Sequence, residues 1–306
     1  MGKKSIKQKN PITLASVDIG SNGARLLIKR FDDTKPVPGN VTKIMFLRVP
    51  LRLGQDVFTL GQVSEKRYRM MLHMLKGYRE FMKLYGVDAY RACATSAMRD
   101  AKNGREVMRK LRDKTKIGLE IIPGDEEAGL LFSNLVEKTD SNEGEFAYID
   151  VGGGSTEVTM IHDGELIDSH SFNVGTLRLL AQQVTNEEIQ ELKQHLESFS
   201  QKFGKITIIG SGGNINKLCR LAHDGKKTAD RLKVADLQKW YDRLAPLSIE
   251  DRMSQFALKA DRADVIVPAA KIFLTCAKHL QCDEIRVPNI SLADSIVDGL
   301  YKKIRN

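Results

Sequence analysis

Cysteine is scarce in this chain, four in 306 residues, and tryptophan scarcer, with one. Cys93, Cys219, Cys276 and Cys282 form no C-x-x-C pair and stand in apolar contexts, which excludes a disulfide-stapled scaffold and leaves reduced, structural thiols. Long apolar runs are missing as well: charge breaks them well short of the ~18 residues a transmembrane helix needs. The basic stretch from Met1 to Lys9 lacks the apolar segment of a signal peptide, and Ile6 stands where myristoylation needs Ser or Thr. These absences lead us to expect a cytoplasmic chain with no membrane partner. Neither a G-x-x-x-x-G-K-[ST] P-loop nor a Rossmann G-x-G-x-x-G occurs. Zinc-finger spacing, a heptad basic helix and an aromatic-rich RNA-binding signature are absent too, so nucleic acid ranks low as a partner.

What is present is an ordinary globular composition, 42% hydrophobic and 28% charged, long enough for two domains. A formal charge of +9 biases the chain toward an anionic partner, and nucleotides or inorganic polyphosphate fit that bias.

Periodicity and turn chemistry order the chain. A strand at 12–18 with neighbours at 24–29 and 43–49 forms a meander, followed by a long helix from Ser64 to Tyr85 whose Met70, Met71, Met74, Leu75, Tyr78, Phe81 and Met82 repeat at helical spacing as core. A strand at 87–93 precedes a helix that Asn103 and Glu106 open as a capping box. A strand at 119–122 and a helix at 126–136 follow, then a polar loop at 139–145. From Phe146 the pattern starts again: strand, glycine turn, and two strands joined by the two-residue turn Asp163-Gly164. Thr185 and Glu188 cap a helix to Phe203, a short strand at 206–209 runs into Gly210-Ser211-Gly212-Gly213, and residues 225–260 read as mostly helical. Helices at 263–279 and 291–304 flank a last strand at 284–287. Two halves that each open with antiparallel strands and then alternate helix and strand describe a duplicated α/β arrangement with a cleft between the halves.

The chemistry concentrates in Tyr148-Ile149-Asp150-Val151-Gly152-Gly153-Gly154-Ser155-Thr156-Glu157. An apolar strand delivers Asp150 to a glycine turn whose amides can converge on an anion, while Asp150 and Glu157 can hold a hard cation such as Mg²⁺ beside it. A weaker copy, Val17-Asp18-Ile19-Gly20-Ser21-Asn22-Gly23, stands near the start. Glu126-Glu127 reads equally well as a dipole-complementing helix start or as the source of a general base for water. Arg99 leaves a strand end, where ligand contacts gather in open α/β sheets, and its planar fork suits phosphate. The basic stretch Arg105–Lys116 reads as a solvated helix face.

Four runs in order carry a resemblance: Asp18-Ile19-Gly20-Ser21-Asn22 with Arg25-Leu26, Ala94-Thr95-Ser96-Ala97-Met98-Arg99, Gly124-Asp125-Glu126-Glu127-Ala128, and Ile149-Asp150 through Glu157. With Arg262-Ala263-Asp264 and Asp283 to Val287, they resemble the exopolyphosphatase/guanosine pentaphosphate phosphatase (Ppx/GppA) family over nearly the whole chain. The resemblance implies an α/β fold of two actin-like (ribonuclease H-like) domains, 1–126 and 127–306, with the active site in the cleft and the closing helix 291–306 free to pack back on the first domain. It implies an exopolyphosphatase that releases terminal phosphate from inorganic polyphosphate, with guanosine pentaphosphate as the alternative substrate. A phosphotransferase of the same superfamily and a non-catalytic sensor rank below these. Glu127 would be the catalytic base, and Asp150 and Glu157 would bind Mg²⁺. Ser21, Asn22, Arg25, Arg99, Gly152, Gly153, Ser155, Gly212 and Gly213 would hold phosphates. A homodimer is a family-level expectation. The chain departs from the family pattern at two places: Gly23 replaces a second serine, and Ser291-Leu292-Ala293-Asp294 replaces Gly-Leu-Arg-Glu. Longer members carry a further helical region used in polyphosphate binding, which leaves processivity open.

Overall fold

Ile12–Ile19 is buried at every position, a pattern only a strand covered on both faces can sustain. In the computed structural model it is β1, the middle strand of a five-stranded sheet ordered β3-β2-β1-β4-β5. The structure describes residues 6–7, 9–37, 39–138, 143–226, 228–288 and 291–305. They divide into two compact units, Met1–Leu130 with Leu292–Asn306, and Leu131–Ser291.

In the first unit β1 is followed by β2 (Ala24–Phe31), β3 (Val41–Val49), α1 (Leu53–Leu60), α2 (Glu65–Leu84), β4 (Ala89–Ala94), α3 (Ser96–Asp100), α4 (Gly104–Thr115), β5 (Glu120–Ile121) and the start of α5 (Gly124–Lys138). β1 pairs antiparallel with β2 and parallel with β4, which in turn pairs parallel with β5. The ends of β1, β4 and β5 therefore share one edge, tied by Thr95 N–H to Ile19 C=O and Ile122 N–H to Ala94 C=O, both 3.1 Å. The methionine stripe of α2 is core: Tyr68, Met71, Met74, Leu75, Tyr78 and Met82 are buried. Met70 and Phe81 are only partly so.

The expected capping box at Asn103 does not form. Asn103 is the N-cap of α4, but its side chain is spent on Val63, accepting from its N–H and donating to its C=O, both at 2.9 Å. Satisfying a loop's backbone pair takes precedence over one helix amide. The short helix α1 escaped sequence reading because its N-cap, Arg52, is left-handed and makes no side-chain cap bond.

The second unit holds β6 (Glu145–Val151), β7 (Thr156–His162), β8 (Glu165–Phe172), α6 (Thr176–Leu180), α7 (Asn186–Phe203), β9 (Thr207–Ser211), α8 (Gly213–Ala222), β10 (Arg231–Lys233), α9 (Val234–Leu244), α10 (Ile249–Phe256), α11 (Ala260–Ala263), α12 (Ile266–His279) and β11 (Glu284–Arg286). Its six-stranded sheet runs β10-β11-β9-β6-β7-β8. The Asp163-Gly164 turn joins β7 to β8 with φ of 47° and 79°, the positive pair such a turn needs. The Thr185 capping box is complete, Glu188 N–H donating to Thr185 Oγ1 at 3.2 Å and Thr185 N–H to Glu188 Oε2 at 2.9 Å. The polar loop expected at 139–145 lies mostly outside the described residues.

The closing helix α13 (Leu292–Arg305) belongs to the first unit. Its Ala293 and Val297 pack with Ile12, Leu14, Leu27 and Phe31. Ser16 Oγ donates to Ala293 C=O at 2.6 Å, and buried Lys29 reaches Asp294 at 3.0 Å and Asp298 at 2.8 Å. Asp294, where the sequence departs from the family pattern, thus helps hold the closing helix down.

Among the described residues no helix is long and apolar enough to cross a membrane. The four cysteines are free and buried. Burial pushes the Cys276 thiol up to about 12 and raises Cys93, Cys219 and Cys282 as well. Since the thiolate is the reacting species, a thiol reagent at pH 8 is expected to modify none of them in the native chain and all four after denaturation. Rapid native labelling would overturn this placement.

Candidate active site

The two strand–Asp–Gly turns are copies in three dimensions. In the first unit Gly20 N–H donates to Gly23 C=O at 3.1 Å; in the second Gly152 N–H donates to Ser155 C=O at 2.9 Å. Asp18 faces Arg25 across β1 and β2, and Asp150 faces Glu157 across β6 and β7. The copies differ at that partner. Asp18 and Arg25 form an ion pair, so the first unit's charge is closed internally. Asp150 and Glu157 set two carboxylates directly opposite each other, which is unfavourable unless a cation or donors compensate.

The surroundings of Glu157 supply part of that compensation. Glu157 is 2% exposed, and its Oε1 accepts from Ser155 Oγ at 2.5 Å and Ser171 Oγ at 3.0 Å. The Ser155 hydroxyl thus helps to orient Glu157. No group of three or more His, Cys, Asp or Glu suited to a metal occurs among the described residues. Two carboxylates with water and substrate oxygens completing the shell is nevertheless the usual way Mg²⁺ is held, so the residues fit that ion.

The glycine turn is aimed by the segment behind it. Thr176 N–H donates to Gly152 C=O at 3.1 Å, Leu177 N–H to Gly153 C=O at 2.8 Å, and Arg178 Nε to Gly154 C=O at 2.8 Å. Three carbonyls held on one side leave the amides of Gly153 and Gly154, which donate to no backbone carbonyl among the described residues, directed elsewhere. Gly175 makes this possible. A Cβ there would lie 2.3 Å from Gly154 C, 2.5 Å from Gly153 O and 2.5 Å from Ser155 N. Sequence reading missed Gly175; the available signal was a single glycine between a strand and a helix start.

Gly212 and Gly213 begin at the end of β9, where Ser211 is the parallel-strand partner of Asp150. Gly212 has φ of 108°, and a side chain on it would stand 3.1 Å from Asp150 Oδ1. A Cβ on Gly213 would be 3.0 Å from Arg262 Nη2. The second unit thus gathers Asp150, Gly152, Gly153, Ser155, Glu157, Gly212 and Gly213.

In the first unit, Ser21 and Asn22 are pinned by α1 and its N-cap: Gly54 N–H donates to Ser21 C=O and Arg52 N–H to Asn22 C=O, both 2.8 Å. A Cβ on Gly23 would sit 3.1 Å from Arg48 Nη2 and 3.2 Å from Val49 O, so the missing serine makes room for Arg48. Arg99 Nη1 donates to Ile122 C=O at 2.9 Å, at the shared edge of β4 and β5. The glutamate pair divides. Glu126 joins Glu120 on Arg91, each at 2.5 Å, and is partly exposed, whereas Glu127, one residue further along α5, is buried.

Two mixed sheets, each opening on an Asp–Gly hairpin, give the chain an α/β architecture that it shares with solved proteins of actin-like fold. The Ppx/GppA phosphatase family model matches residues 34–304, and the chain belongs to that family. It is 26% identical to an exopolyphosphatase 2 of Mycobacterium tuberculosis, over 94% of this chain and 98% of that protein. It is 24% identical to a guanosine-5'-triphosphate,3'-diphosphate pyrophosphatase of Photobacterium profundum, over 98% of this chain and 62% of the relative. The chain spans 48% and 62% of the lengths of two of the curated relatives it matches. The crystal structure of the Aquifex aeolicus Ppx/GppA family member superposes with a TM-score of 0.75 at 27% identity, covering 95% of this chain and 98% of that one.

Proposed function

We propose that this chain is a cytoplasmic, Mg²⁺-dependent phosphohydrolase that removes terminal phosphate from inorganic polyphosphate, with Glu127 as general base. The observation that carries the reading is the opposition of Asp150 and Glu157 beside a glycine turn tied down from behind, where the copied turn carries a closed Asp18–Arg25 pair. In one turn an arginine stands opposite the aspartate; in the other a second carboxylate does, the donor set that suits a hard dication. Mg²⁺ held by Asp150 and Glu157 would offset negative charge on the phosphate being transferred.

The protein's own contribution is positioning. The amides of Gly153 and Gly154 offer donors to phosphate oxygens, Ser155 and Ser171 orient Glu157, and Gly212 leaves room beside Asp150. Glu127 takes the proton of the attacking water, a role its burial suits better than the solvated, arginine-paired Glu126. Free, buried cysteines support the cytoplasmic placement. Guanosine pentaphosphate is the second reading, favoured by the name of the Photobacterium relative.

The test is phosphate release from long-chain polyphosphate, guanosine pentaphosphate and ATP, each with Mg²⁺ or EDTA. Polyphosphate is expected to be cleaved fastest and only with Mg²⁺. Asp150→Asn and Glu157→Gln are each expected to raise the Mg²⁺ concentration needed for half-maximal rate, because both lose the charge that attracts a hard dication. Hydrolysis undiminished by EDTA, or an unchanged Mg²⁺ requirement in both variants, would sink the metal assignment.

A further inference from the structure

The basic stretch Arg105–Lys116 is solvated as expected, Arg105, Arg109 and Arg112 being exposed, but its arginines are also grouped on one side of the helix. Arg105, Arg109 and Arg112 line a single cavity of about 920 Å³ together with Arg99 and Lys102, and Asp113 is its one acid. The three α4 arginines follow i, i+4, i+7 spacing, so they form a row roughly 10 Å long on one helix face. None of the three forms an ion pair with a described carboxylate, although Glu106 on the same helix is engaged by Lys110 at 2.7 Å. Like charges one turn apart repel, and a row of them is a standing demand for an anion.

The cavity is built into the unit. A Cβ on Gly104 would lie 2.4 Å from Met98 O, so only glycine lets the start of α4 close on α3. The row also has a direction: it begins at Arg99, anchored by Ile122 C=O at the strand edge, and continues through Lys102 along α4.

Resting on the proposed activity, we infer that this cavity is an extension subsite, holding the phosphates of a linear inorganic polyphosphate beyond those gripped at the cleaved end. A line of cations matches a thin chain that carries a charge at every phosphorus. The lining has no Phe, Tyr or Trp on which a base could stack, which disfavours single-stranded nucleic acid.

The test uses the full chain carrying Arg105→Gln, Arg109→Gln and Arg112→Gln together, with Arg99 left intact. For long-chain polyphosphate KM is expected to rise roughly tenfold, as three exposed charge contacts of typical strength would give, and the affinity should become less salt-dependent. For tripolyphosphate kcat and KM should stay unchanged, which also shows that the variant is folded. The matching triple lysine variant should recover most of the long-chain affinity. Equal changes for both substrates, or none for either, would overturn the subsite.

Binding of labelled long-chain polyphosphate in EDTA separates this inference from the activity. Weakened binding by the glutamine variant of a chain that hydrolyses nothing leaves the subsite standing and the activity reading refuted. Unweakened binding in an active enzyme refutes the subsite alone. Displacement of the label by single-stranded RNA at equal phosphate concentration would overturn the assignment to polyphosphate.

Discussion

Glu127→Gln is expected to lower kcat on polyphosphate by about 10²–10⁴-fold, the usual contribution of a positioned general base, with KM little changed. The amide keeps the size and the buried position while losing basicity. Glu126→Gln, in the same assay, is expected to stay within a few-fold of wild type, because Glu126 sits in a solvated pair with Arg91 and such pairs contribute little. The contrast discriminates between neighbours that differ by one helical step. If Glu126 proves the more sensitive, the base has been assigned to the wrong residue.

Gly175→Ala should be nearly as damaging, although Gly175 carries no side chain and packs against the backbone of the turn. Its new methyl would fall within 2.5 Å of the turn's backbone at Gly153 O, Gly154 C and Ser155 N, separations no packed structure tolerates. One side must move, and both are backbone held by α6 through Thr176, Leu177 and Arg178. A displacement of about 1 Å in a positioning element can cost 10²-fold, so kcat/KM is expected to fall by about that factor and the Mg²⁺ requirement to rise. Overpacking of this kind also costs stability, roughly 1–3 kcal/mol. Gly77→Ala is the control: nothing lies within 4 Å of its Cβ position inside α2, and the change should stabilise by up to about 1 kcal/mol. Thermal unfolding and steady-state kinetics of the two variants measure both effects. Wild-type kinetics for Gly175→Ala would show that the turn does not depend on its backing.

How much of this was readable in advance follows the range of each interaction. The Thr185–Glu188 cap and the Asp163-Gly164 turn close over three residues or fewer, and both stand where local chemistry placed them. Asn103 carries the same local signal as Thr185 and fails it, because Val63, forty positions away, claims its amide. Short elements were lost for the converse reason. β10 and α6 are stabilised by neighbours brought to them and contain too few residues to show a period.

The candidate site divides along the same line. The amino-acid sequence by itself determined that two strands would each deliver an aspartate to a glycine turn, and that a glutamate pair would open α5, since these depend on apolar runs and backbone freedom. Only the tertiary structure decided that Asp18 is neutralised by Arg25 while Asp150 confronts Glu157, that Glu127 is buried and Glu126 is not, and that Gly175 lies beneath the turn. Likewise it made one face of a basic helix the wall of a cavity. Charge pairing and burial depend on which chain segments face each other. That follows from strand register and packing, and residue identity along the chain does not carry it.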